Sequence, residues 1–186
     1  SAVRWLELDP DNPAVHGYLG VAYLRLNDAK KAFVHFERSM PPIAERSEGD
    51  YLVLESEIAA IGDADAVVDV MQLFQQSFPS QPGVELALAS AAVRAGDGAL
   101  ALENADAVLA VEPSLQRAQI VRLRGLLLLG RADESLAEMR ALIAANRSIE
   151  LELEYARLLA SSDAVDAALQ YLDDMAERYG FMPEIV

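Results

Sequence analysis

Apolar residues recur along this chain at spacings of three and four, in blocks separated by short polar or glycine-containing breaks. Leu86, Leu88, Ala89, Ala92 and Val93 precede Gly96, and Ala101, Ala105, Val108 and Leu109 follow it. Each set falls on one face of a helix, so each block predicts two amphipathic helices joined by a tight turn. Gly62, Gly96 and Gly130 are spaced by 34 residues, and so are Pro79 and Pro113. Glycine suits a left-handed position at the end of a first helix, and proline ends the second because it has no N–H to continue the ladder. The first block uses other residues for the same purpose: Leu19, Gly20 and Tyr23, a turn at Asn27-Asp28, then Ala32 and Phe36. Its step to Gly62 is 35, and the extra residue is expected between Pro41-Pro42 and Asp50, in the least helical stretch and the one candidate hinge.

Ala132 to Ala145 predicts a further helix with Leu136, Met139 and Leu142 inward. A fifth block follows in shifted phase, with Leu151, Leu158 and Leu159 before Ser161-Ser162-Asp163 and Ala167, Ala168, Tyr171 and Leu172 after it. Ile149, Leu151, Leu153 and Tyr155 alternate with glutamates, a strand-like pattern, but the helical blocks on both sides argue for helix. A period of 34 residues is that of a helix–turn–helix repeat, so the expected fold is all-α, a right-handed α-solenoid of stacked antiparallel helix pairs.

Composition narrows the function. Fifty-three per cent of the 186 residues are hydrophobic, enough for a core and far from the signature of disorder. The net charge of −15, from 30 acidic and 15 basic residues, repels nucleic acid and anionic membrane surfaces, so neither is an expected partner. Without cysteine there is no thiol catalysis, disulfide framework or zinc ribbon. No catalytic or metal constellation emerges. His16 and His35 lack a cysteine or regular carboxylate partner. Asp63 and Asp65 begin like a calcium loop, but Val67, Val68 and Phe74 stand where an oxygen ligand, the turn glycine and the closing glutamate belong. The chain is therefore expected to be non-enzymatic, with no catalytic residues, metal or cofactor. Tyr23, Phe36, Phe74 and Tyr171 are expected in the core, and Trp5 partly exposed.

Leu19-Gly20-Tyr23 with Ala32 and Phe36, and Ala89 and Gly96 with Ala101 and Pro113, resemble the tetratricopeptide repeat family. The pattern departs at Glu55 and Leu123, which stand in place of the small helix-packing residue and are expected to loosen their helix pairs. Ser135 replaces the tight-contact alanine, and Tyr179 the closing proline. The register divides one domain into repeats at 13–46, 48–81, 82–115, 116–147 and 148–181. Residues 1–10 resemble the second helix of a truncated repeat and 182–186 the opening of another, as in an excised part of a longer array. The alanine-rich, cysteine-free style is similar to large bacterial repeat proteins, which leaves the cytoplasm and the cell envelope or periplasm as expected locations.

The resemblance implies a scaffold whose first helices line a concave face that binds protein or peptide. The register places Val21, Leu24 and Arg25 there, then Leu52, Ser56 and Ala59, and Leu86, Ser90, Val93 and Arg94. Arg117, Ile120, Arg124 and Leu127 follow, and Glu152, Ala156 and Leu159 complete it. Four arginines in a largely apolar trough would hold carboxylates of an apolar or amphipathic peptide, unless they pair with nearby Glu and Asp. The chaperone-binding members' carboxylate clamp is not expected, because Gly17, Val21, Val53, Gly83 and Ala87 occupy its positions. The alternative is a self-assembly or spacer module, a homo-oligomer formed through uncapped ends, with any activity elsewhere in a larger protein.

Overall fold

A computed structural model of the chain describes Trp5 and residues 9–180. Ten α-helices follow in antiparallel pairs among these residues: α1 (Pro13–Arg25) with α2 (Ala29–Ser39), α3 (Glu48–Ala59) with α4 (Ala64–Ser77), and α5 (Pro82–Ala95) with α6 (Gly98–Val111). α7 (Gln116–Leu128) with α8 (Ala132–Ala145) and α9 (Ile149–Ser161) with α10 (Val165–Tyr179) complete the array. Trp5 is helical and 58% exposed, and Asp9 and Pro10, which close the expected leading helix, are not helical; residues 1–4 and 6–8 and the 182–186 opening lie outside the described residues.

Local chemistry sets the boundaries. Pro13 and Pro82 occupy first turns, where the missing N–H has no partner to lose. Asp28, Asp63 and Asp97 cap α2, α4 and α6 through backbone N–H groups of the first turn. Asn27, Gly96, Gly130 and Asp163 take the left-handed conformation between paired helices. Gly62 does not, which corrects the expectation of a left-handed cap there. Its lack of a side chain serves packing instead, because a Cβ would stand 2.6 Å from Leu24 Cδ2.

Two large apolar clusters form the interior. One joins α1 to α5 around Phe36, Met71 and Phe74, and the other joins α7 to α10 around Leu126, Met139 and Tyr155. A smaller cluster of Leu86, Ala89, Ala105, Val108, Ala118 and Val121 bridges them. Phe36 and Phe74 are core as expected, whereas Tyr23 and Tyr171 are half-buried. The pairs containing Glu55 and Leu123 are the most loosely packed of the five. Ser135 is satisfied in the core, its hydroxyl donating to the Leu123 carbonyl at 2.8 Å.

From the second pair onward, first helices pack on first helices (α3 with α5, α5 with α7, α7 with α9), while no comparable packing joins α4, α6, α8 and α10 to one another among the described residues. The stack is thus tighter along the first helices, which makes theirs the inner side. The first junction differs: there α2 packs on α4. The loop before α3 holds only a short 3-10 turn at Ile43–Glu45, but it is tied down rather than free to hinge. The Arg46 guanidinium is nearly buried, donates to the Pro41 and Glu37 carbonyls and the Glu37 carboxylate, and lies over the Phe78 ring.

Candidate functional site

The inner faces of α5, α7 and α9 enclose a groove of about 360 Å³. α5 contributes Ser90, Val93 and Arg94, α7 contributes Arg117, Ile120, Val121 and Arg124, and α9 contributes Glu150, Glu154 and Arg157. Six residues that the sequence register put on the concave face are therefore gathered here. A second trough of about 430 Å³ continues from it, sharing Val93, Arg124, Glu154 and Arg157 and adding Leu127, Leu128 and Leu158.

Other expected positions are not part of this site. Leu24 and Leu86 are buried at 3% exposure, within the first and the bridging cluster, so neither reaches a surface. Val21 and Arg25 sit on α1, which the α2–α4 junction separates from the later first helices. Leu52 is half-buried between two clusters and Ser56 is exposed on α3. On α9 the expected Glu152, Ala156 and Leu159 are all buried, and Glu150, Glu154 and Arg157 take their place. The expected set stands 32 residues after Ile120, Arg124 and Leu127, whereas the turn residue Asp163 follows Gly130 by 33, and a 33-residue step carries Arg117 and Arg124 onto Glu150 and Arg157. One residue of error rotates a helical position by about 100°, enough to exchange a groove residue for a core one. The Ser162-Asp163 turn was the available signal.

Most of the groove's charge is paired internally. Glu154, 3% exposed, accepts two hydrogen bonds from Arg124, at 2.5 and 2.6 Å, and a third from Arg157 at 3.2 Å. Glu55 on α3 is fully buried and accepts from Arg94 at 3.0 Å through Oε2, while its Oε1 has no hydrogen-bond partner. Glu150 accepts from the Gln116 amide. Arg117 is exposed and has no ion pair among the described residues. Of the four arginines expected along the face, Arg94 and Arg124 are thus paired, and among the described residues Arg117 in the groove and Arg25 apart from it have no ion pair. On the other side of α9, buried Glu152 bonds Arg178 and the Tyr171 hydroxyl, with Arg147 at 3.5 Å, and fastens α10 to α9. Burial alone would raise the Glu152 pKa, but Tyr179, Arg178 and Arg147 together hold it below the usual carboxylate value.

Burial pushes the Glu55 carboxyl up, and Arg94 and Arg117 only partly offset this. The folded chain therefore keeps this proton to higher pH than the unfolded chain does. The contribution of Glu55 to stability falls as pH rises from the ordinary carboxyl range through its raised value. Glu55→Gln keeps an oxygen for Arg94 and removes the charge. Melting temperatures of the two chains are expected to coincide most closely near the ordinary carboxyl pKa and diverge in favour of the variant toward neutral pH. Parallel pH profiles would rule this out.

His16 and His35 meet across α1 and α2, Nδ1 to Nδ1 at 2.9 Å, with His16 Nε2 donating to the Pro10 carbonyl at 2.9 Å. They act as a packed, hydrogen-bonded pair. No group of three or more His, Cys, Asp or Glu residues is placed to hold a metal ion among the described residues. None of the described helices is long and apolar enough to cross a membrane.

No family model and no curated protein matches the chain. Solved structures do. A tetratricopeptide repeat protein from Parabacteroides merdae ATCC 43184 superposes with a TM-score of 0.63 at 15% identity, over 93% of this chain and 69% of that one. The thermophilic TPR protein TTC0263 of Thermus thermophilus gives 0.58 at 20% identity, over 89% and 90%. MamA MSR-1 gives 0.55 at 16% identity, over 90% and 98%. The chain is an all-α, right-handed solenoid with the tetratricopeptide repeat fold.

Proposed function

We propose that this chain is a non-catalytic scaffold that binds a polypeptide segment in the groove between α5, α7 and α9. The observation that carries the reading is a continuous concave channel, cationic and apolar in turn, on a chain of net charge −15. Repeat solenoids use such extended inner surfaces for recognition, and a rigid groove spares a bound peptide part of the ordering cost on the protein's side.

The test must respect the internal ion pairs. Reversing Arg94 or Arg124 would set a second negative charge against buried Glu55 or against Glu154, which would keep only Arg157, a cost of about 3–5 kcal/mol that would confound any binding result. Arg117 carries no such burden. Peptides selected from a random 12-residue display library on the full chain are expected to lose about tenfold or more in affinity with Arg117→Glu, and to keep it with Arg140→Glu on the exposed part of α8. An equal response to both substitutions, or no selected peptides, would refute the groove as the binding site.

A second reading, assembly through the ends of the array, is favoured by α10. In α8, Leu136, Met139 and Ile143 form the stripe that receives α9. The corresponding stripe on α10, Leu169, Leu172 and Ala176, leaves Leu169 57% exposed with no helix over it among the described residues. If this stripe joins copies, sedimentation will show mass rising with concentration, and Leu169→Lys will return the chain to a monomer. A monomer at all concentrations discards this reading.

A further inference from the structure

Resting on the groove reading above, we infer that the occupant is an acidic segment with a bulky apolar side chain four or five residues from its acidic residue. The acid is seated on Arg117 and the apolar group in the trough beside Leu127 and Leu158. Charge bookkeeping selects the acid. The groove is lined by the guanidinium groups of Arg94, Arg117, Arg124 and Arg157 against the carboxylates of Glu150 and Glu154. Arg124 and Arg157 share Glu154, and Arg117 has no ion-pair partner among the described residues, so cationic capacity is left over where a ligand would lie. A basic segment would meet that excess and find only two groove carboxylates, exposed Glu150, bonded by the Gln116 amide, and buried Glu154, already holding three hydrogen bonds. An acidic side chain instead finds in Arg117 a planar donor free to bind both its oxygens.

The apolar requirement comes from the other end. The trough there is floored by Val93, Leu127, Leu128 and Leu158, and its exposed lining is mostly hydrocarbon. Leu128 is 45% exposed, an apolar surface that an inserted side chain would cover. Spacing then follows from α7. Arg117 and Leu127 are ten residues apart on one helix, about 15 Å at 1.5 Å rise per residue. An extended chain advances about 3.3 Å per residue and covers that distance in four to five residues. Between the two sites Arg124 is locked to Glu154, so it shapes the passage without demanding a second acid.

The 12-residue library selected on the full chain also tests this, through the statistics of residue pairs. Asp or Glu is expected to be enriched four or five positions from Leu, Ile, Met or Phe. A synthetic peptide carrying the consensus should lose about tenfold in affinity when its acid becomes the amide, and the same amount when Arg117 becomes Ala. The two changes together should cost little more than either alone. Circular dichroism and melting temperature check that Arg117→Ala leaves the fold intact. Peptides that respond to Arg117→Glu but are basic, or lack the spacing, overturn this inference and leave the groove reading standing. Peptides indifferent to Arg117, or an empty selection, overturn both.

Discussion

Phe74→Ala is expected to destabilise the chain by about 3–5 kcal/mol, among the largest effects of any single truncation here. The ring is fully buried on α4 at the meeting point of three helix pairs. Phe33 of α2 presents an edge to it at 4.8 Å, Tyr51 of α3 another at 6.0 Å, and Phe78 stacks at 6.2 Å. Truncation removes the ring's own burial and the aromatic contacts together, and it opens a cavity that rigid helices fill poorly. The site matters doubly in a solenoid, whose stability is a sum of repeat and nearest-neighbour terms. Weakening the first junctions should uncouple α1–α4 from the rest, so urea denaturation followed by circular dichroism should show a lower midpoint and a broader or biphasic transition. A loss below about 1 kcal/mol with the cooperative transition retained would mean that this cluster does not hold the junction together.

Gly98→Val should cost about as much as a severe overpacking mutation, about 3 kcal/mol, by a different route. Here α6 crosses α7 with no side chain between the backbones. A Cβ at Gly98 would lie 2.8 Å from the Gly125 carbonyl oxygen and 2.8 Å from Leu128 Cβ. Neither is the far end of a flexible side chain, so the helices themselves must separate. Gly125 faces the same crossing, and a Cβ there would lie 3.2 Å from the Gly98 oxygen. Gly96, two residues earlier, is the contrast. It has open space around it but φ of +78°, so Gly96→Ala should cost only the left-handed strain, about 1–2 kcal/mol. Denaturation of both variants checks the order. If Gly96→Ala proves the more harmful, conformation rather than helix approach governs this turn. Because α7 carries the groove arginines, Gly98→Val should also weaken peptide capture, while Gly96→Ala should leave it nearly unchanged.

The helix pairs were legible in the residues because their cause is local. Spacings of three and four, a left-handed turn residue and a terminating proline act within one hairpin, and the 34-residue step repeats them. That much carried Ser90, Val93, Arg94, Arg117, Ile120 and Arg124 into one groove. It failed where the step changed. The long loop before α3 sets α1 apart from the later first helices, so Val21 and Arg25 are not continuous with the site, and Leu24 is interior. On α9 the expected positions followed a 32-residue step where the turn at Asp163 makes it 33, so Glu152 is core and Glu150 and Arg157 line the groove instead.

The chain's periodicity by itself determined the class of fold and the positions of its turns, since hydrophobic period and turn chemistry need no knowledge of distant residues, while the helix that faces inward was implied only by the family resemblance. Only the tertiary structure decided which arginines are available. Arg94 meets Glu55 across 39 positions of sequence and Arg124 meets Glu154 across 30. Such pairing depends on how rigid helices are rotated at each junction, a sum of packing contacts that no local pattern records.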